Sequence, residues 1–199
     1  MPWTAMIAKK SPNLTDKASM RLTILRHAPC IPDGRMVGRR DVAADCGDFP
    51  ALERQRGRIG APSQVIASPA LRCRQTAKAL GLSPDRFEPL LWEQDFGRWE
   101  DLAPDRLPDL GRLTPAQLAR HRPEKGESFD DMAARVIPVL RSLDRDSLLI
   151  AHAGTVRAAL SMVVGPAALS FAVAPLSLTI LSRHDDDWAV EAVNIRGDL

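Results

Sequence analysis

The chain has 199 residues, 45% of them hydrophobic and 26% charged, which is ordinary for one globular domain with a sizeable core. A formal net charge of +2 is too small to argue for a nucleic-acid partner. Cys30, Cys46 and Cys73 are odd in number and lack metal-ligand spacing, so neither a disulfide framework nor a metal site is suggested, and a reducing cytoplasm fits.

Residues 1–19, MPWTAMIAKKSPNLTDKAS, hold an apolar stretch too short for a signal peptide, with lysines after it instead of before it. We read them as a disordered tail, or as an over-long gene start with Met20 as the true first residue. A mitochondrial presequence has little support, because the segment lacks arginine. Residues 20–199 then form a single domain.

RLTILRH (21–27) reads as a short buried strand, followed by the Pro- and Gly-rich loop APCIPDGRMVGRRD. QVIAS (64–68) is a second buried strand. SPALRCRQTAKALG is then a helix, with Ser68 as N-cap, Pro69 in the first turn and Gly81 as its stop. RFEPLLWE reads as a third strand. Residues 101–127 are proline-rich and polar, with one helix at PAQLARH.

SFDDMAARVIPVLRSL is a clearer helix. Ser128 and Asp131 have capping-box spacing, Met132, Val136, Val139, Leu140 and Leu143 approximate one apolar stripe, and Pro138 is placed to kink it. SLLIAH is the fourth strand and TVRAALSMVV the helix after it. LSLTILS and WAVEAVN close the chain as a hairpin around RHDDD. No charge occurs from Ala158 to Ser182, long enough to span a bilayer. Gly165-Pro166 and Pro175 divide that run into shorter pieces, so it reads as core and no membrane partner is expected.

Strands alternating with helices argue for an α/β fold, a three-layer α/β/α sandwich with a largely parallel central sheet. Ligands of such sheets bind beyond the carboxyl ends of the strands. Two of the strands run into a histidine, His27 and His152, and both imidazoles would reach one crevice. Taken singly, each residue has a plainer reading. Arg26-His27 is also a solvent-facing strand end, and His152 a satisfied core histidine. His121 and His184 read as surface.

Arg72, in the first turns of the SPALRCRQTA helix, makes an anion site with the helix N-terminus, with Arg74 competing for the role. Glu93 is flanked by Trp92, Phe96 and Trp99, and a carboxyl among aromatic rings is disposed to hold a proton. The plainer readings are a surface arginine and an ordinary loop glutamate. Cys30 and Cys73 read as packing residues.

In this order, LRHA, SPALRCRQTA, EQDFGRWE, GESF and LLIAHAGTVRAAL resemble the histidine phosphatase superfamily, which includes cofactor-dependent phosphoglycerate mutases and acid phosphatases. The resemblance spans about 21–195. It implies a phosphoglycerate mutase-like fold, His27 as a nucleophile phosphorylated on a ring nitrogen, Arg26, Arg72 and His152 as a phosphate clamp, and Glu93 as proton donor to the leaving alcohol. No cofactor or metal is implied; the partner is a small phosphate ester, and a homodimer is compatible with it.

The chain departs from the family after His27. RHAPCIPD stands where RHGET and an asparagine are common, and it puts Asp33 near the place of the asparagine. A carboxylate there repels phosphate unless Pro29 and Pro32 re-aim the loop or Asp33 meets a cationic part of the substrate. GRMVGRRD resembles the substrate-side loop, with Gly38, Arg39 and Asp41 as candidate substrate contacts. Glu93 and Gly126 are only 33 positions apart, too close for the shielding segment of mutases. Hydrolysis is therefore favoured over mutase-type transfer, and both over an inactive phosphate-binding module on the same fold. DFGRWED and RPEKGESF look most like the α-ribazole phosphatase branch, which removes a 5′-phosphate in cobalamin nucleotide-loop assembly.

Overall fold

The computed structural model describes residues 19–32 and 34–197. The expected tail therefore lies almost wholly outside the described residues, and so does Asp33. Strand β1 is Met20–Arg26. A short pairing of β2 (Cys30–Ile31) with β3 (Ala43–Ala44) precedes α1 (Phe49–Ile59), β4 (Gln64–Ala67), α2 (Leu71–Ala79) and β5 (Arg86–Phe87). The second half runs α3 (Pro115–Arg120), α4 (Phe129–Arg141), β6 (Ser147–Ala151), α5 (Ala153–Val164), β7 (Leu178–His184) and β8 (Asp187–Ile195).

The main sheet has the order β5-β4-β6-β1-β7-β8. Its first four strands are parallel neighbours, and the β7–β8 hairpin extends it antiparallel from β1. Alternation along the strands sends side chains into two cores. Leu22, Ile24, Ile66 and Leu149 meet Met132 and Val136 of α4 and Val156 of α5. Leu25, Val65, Leu148 and Ile150 meet Leu52 of α1 and Cys73 of α2. This is the expected three-layer sandwich. Burial on both faces is why RLTILRH and SLLIAH read as unbroken apolar runs.

Several local expectations change. Of RFEPLLWE, only Arg86 and Phe87 pair with β4, and Pro89–Leu91 winds into a 3-10 turn. Pro89 has no N–H to offer a ladder. Helix α2 begins at Leu71 behind Ala70, with no side-chain cap, so Ser68 is not its N-cap. Helix α4 does carry the Ser128–Asp131 capping box, and it continues through Pro138. The stretch Ala153–Ser170 is long and apolar enough to cross a bilayer by length and composition. Here α5 stops at Val164 and packs its Val156, Ala159 and Leu160 into the core.

The register of β1 and β6 decides the site. Arg26 lies opposite Ala151, the last residue of each strand. The next residues are His27 and His152, and the His27 N–H donates to the Ala151 carbonyl at 2.9 Å.

Candidate active site

The His27 and His152 rings meet edge to face, their centroids 5.2 Å apart and their planes at 65°. His27 is buried, and its Nδ1 lies 2.7 Å from the Ala28 carbonyl oxygen. A carbonyl only accepts, so Nδ1 carries the proton and Nε2 keeps the lone pair. Burial, reinforced by Arg26 and Arg72, holds the His27 imidazole well below its ordinary pKa of 6.5. The ring is therefore neutral and nucleophilic at physiological pH.

His152 is fully buried, with Nε2 2.9 Å from Ser68 Oγ. Burial first, then Arg72, His27 and Arg26, hold it well below 6.5 too. The His152 ring is therefore neutral at physiological pH. Ser68 reaches it because β4 pairs with β6, so three neighbouring strand ends deliver Ser68, His152 and His27 together.

Arg72 is fully buried, and Arg74 is exposed. Arg72 donates to the Arg40 carbonyl at 3.0 Å and the Gly38 carbonyl at 2.8 Å, and its guanidinium carbon lies 5.6 Å from the Trp92 ring centroid. Arg26 donates to the Val173 carbonyl at 2.6 Å. Burial draws the pKa of Arg26 down, with Glu93 opposing, yet a guanidinium keeps its charge. The Nε atoms of Arg26 and Arg72 and Nδ1 of His152 are buried without a protein partner. Buried nitrogens of this kind ordinarily bond to something, and three around one imidazole suit an anion.

Glu93 is buried against the start of α5, accepting from the Gly154 N–H at 3.2 Å and the Gln94 N–H at 2.9 Å. A Cβ at Gly154 would fall 2.1 Å from Glu93 Oε1 and 2.6 Å from Met132 Sδ. Only glycine allows the carboxyl this close. Gly154→Ala is therefore expected to displace Glu93, costing about 1–3 kcal/mol in stability and about 10²-fold in turnover of an alkyl phosphate. Thermal melting and steady-state rates would check it, and unchanged turnover would show the contact to be slack.

The aromatic surroundings expected for Glu93 are distributed differently. Trp92 stacks on His152, with centroids 6.4 Å apart and planes at 11°. Trp99 stacks on His121 at 5.2 Å, which leaves His121 half-buried instead of surface. Phe96 alone of the three rings shares a cavity lining with Glu93.

That cavity, about 330 Å³, is also lined by Arg26, His27, Met36, Val37 and Arg157. Arg157 escaped the sequence reading, although a helical phase points to it. Ala153 lines the same cavity four residues earlier, on the same face of α5. Gly38 and Arg39 do not line it. A Cβ at Gly38 would fall 1.9 Å from the Gln94 carbonyl oxygen. Its N–H donates to Glu100 while its carbonyl accepts from Arg72, so Gly38 braces that guanidinium. Arg39 is exposed, beside Trp92 and Glu127. The Asp41 carboxylate accepts from the Leu71 N–H at the start of α2, at 2.6 Å.

A family model described as histidine phosphatase superfamily (branch 1) matches residues 51–196. The chain belongs to the histidine phosphatase superfamily. That match starts after Arg26 and His27, so the β1–β6 register is what joins them to the rest of the site. Human 6-phosphofructo-2-kinase/fructose-2,6-bisphosphatase 4 is 32% identical over 111 residues, 53% of this chain and 24% of that protein. The chain thus spans about a quarter of that curated relative's length. Among solved structures, mycobacterial hydrolase 1 superposes with a TM-score of 0.77 at 25% identity, covering 90% of this chain and 100% of that one. The mycobacterial glucosyl-3-phosphoglycerate phosphatase gives 0.75 at 25% identity, covering 89% and 99%. A Thermus thermophilus protein, TTHB049, gives 0.73 at 27% identity, covering 88% and 99%.

For this histidine phosphatase the neutral imidazoles have a measurable consequence. Both bind a proton less readily in the folded chain than at their ordinary pKa of 6.5. Below that pH the unfolded chain takes up protons first, so stability falls on acidification; above it, these two groups contribute no slope. Glu127 behaves like other paired acids. Burial pushes its carboxyl up, but bonds from Arg135 and the Asp95 N–H outweigh this and hold it below 4.5. The melting temperature is expected to fall between pH 6.5 and 4.5, and less steeply in His152→Gln. An unaltered slope in that variant would contradict the assignment.

Proposed function

We propose that the protein is a metal-independent phosphomonoesterase that works through a phosphohistidine at His27 on a small phosphorylated metabolite. The observation that carries this reading is the edge-to-face pair of His27 and His152, with the fully buried Arg72 and the half-buried Arg26 beside it. Phosphoryl transfer needs alignment and positive charge at the equatorial oxygens. Two guanidiniums supply that charge with no need of a metal ion. His152 gives a hydrogen bond from a neutral ring, and the incoming dianion favours its protonation.

His27 Nε2 attacks phosphorus, the P–O bond to the leaving alcohol breaks, and Glu93 delivers the proton that the departing oxygen needs. Glu93 then takes a proton from water as that water attacks the phosphohistidine, releasing phosphate and returning His27 to its neutral state. The short connection from Glu93 to Gly126 leaves water free to enter, which favours hydrolysis over return of the phosphoryl group.

Beyond the phosphate position, Met36, Val37 and Phe96 offer an apolar wall and Arg35 and Arg157 offer charge. α-Ribazole 5′-phosphate is the substrate we favour, on the likeness of DFGRWED and RPEKGESF to that branch. Sugar phosphates are the comparison class, since the relatives' names point to fructose 2,6-bisphosphate and glucosyl-3-phosphoglycerate.

The experiment is a panel of these esters with 3-phosphoglycerate, assayed with and without EDTA, in wild type and Glu93→Gln. Phosphate release insensitive to EDTA is expected. Glu93→Gln should lose about 10²-fold on alkyl esters and far less on p-nitrophenyl phosphate, whose leaving group needs little protonation. Equal losses would remove Glu93 as the acid. Phosphoglycerate interconversion faster than hydrolysis would make the protein a mutase, and no turnover of any ester would make it a binding module.

A further inference from the structure

Glu93 and Trp92 sit on residues 90–95, which belong to no strand of the sheet. Their backbone carbonyls therefore need donors from elsewhere. One side chain supplies three of them. Arg135, on α4, donates to the carbonyls of Leu90 at 2.6 Å, Trp92 at 2.7 Å and Glu93 at 2.9 Å. The same guanidinium meets Glu127 at 3.0 and 2.8 Å. Glu127 holds the other side of the segment: its carboxylate accepts from the Asp95 N–H at 3.1 Å and its carbonyl from the Gln94 side chain at 2.7 Å.

We propose that Arg135, fixed by Glu127, is a positioning residue that holds Glu93 against the α5 N-terminus and Trp92 against His152. The inference rests on Glu93 acting as the acid. A guanidinium suits the task because its planar fork reaches three carbonyls and a carboxylate at once, which an ammonium does not. Arg135 does not itself line the cavity; it reaches Glu93 and Trp92 through their backbone carbonyls.

The test compares Arg135→Ala, Arg135→Lys and Glu127→Gln on glycerol phosphate and p-nitrophenyl phosphate. Arg135→Ala is expected to lose about 10²-fold in kcat on the alkyl ester and only a few-fold on the nitrophenyl ester. Arg135→Lys should recover little, and millimolar guanidinium ion should restore part of the Arg135→Ala loss. Glu93→Gln/Arg135→Ala should be no slower on the alkyl ester than Glu93→Gln alone, because both remove one function. If Arg135→Ala does not fold, the same ratio is read from Arg135→Lys and Glu127→Gln. Equal losses on the two esters, or additive losses in the double variant, would overturn the positioning role while leaving Glu93 as the acid. A Glu93→Gln variant that itself fails to separate the two esters would overturn the acid assignment and this inference with it.

Discussion

His27→Ala is expected to abolish turnover, lowering kcat by about 10⁴-fold or more, while inorganic phosphate still binds. The alanine removes Nε2, the atom we propose forms the covalent bond. It leaves Arg26, Arg72 and His152 around the anion. The ring packs in a buried site, but among the described residues its hydrogen bond is to the neighbouring Ala28 carbonyl, so few other groups lose a partner. Rates on p-nitrophenyl phosphate and calorimetric titration with phosphate separate the two effects. Substantial residual turnover would remove His27 as nucleophile, and lost phosphate binding would show that the clamp depends on the ring.

Arg72→Met is expected to do the reverse, losing phosphate binding together with about 10³-fold in kcat/KM. One charged donor at the transferring group is worth about 10²–10³-fold. The remainder comes from the loop. Arg72 holds the carbonyls of Gly38 and Arg40, and a methionine leaves both without that donor, at about 1–3 kcal/mol each where water cannot replace it. Arg72→Lys should rescue little, because an ammonium does not bridge two carbonyls and an anion at once. Phosphate binding in Arg72→Met as tight as in wild type would exclude Arg72 from the clamp.

The two variants bracket what the sequence made legible. A parallel strand covered on both faces is an apolar run, so a histidine ending that run stands out. Both RLTILRH and SLLIAH show this, and the β1–β6 register turns two separate signals into one site. Ser68 shows the limit. A serine before a proline and a helix reads as a cap, but His152 takes its hydroxyl instead, and nothing local records that contact. Glu93 shows another. Its sequence neighbours Trp92 and Trp99 stack on His152 and on His121, so adjacency in the chain did not gather the rings around one carboxyl. Arg135 was silent for a physical reason: three of its partners are backbone carbonyls, which leave no trace in side-chain patterning.

The proposed catalysis turns on a covalent step at one nitrogen. Its most direct test is a rapid alkaline quench of enzyme turning over a good substrate, followed by peptide mass spectrometry, since phosphohistidine survives base and not acid. A phosphoryl group is expected on the peptide carrying His27, and none in the His27→Ala protein. Hydrolysis at full rate with no phosphopeptide, or a phosphoryl group on another residue that persists in His27→Ala, would contradict it.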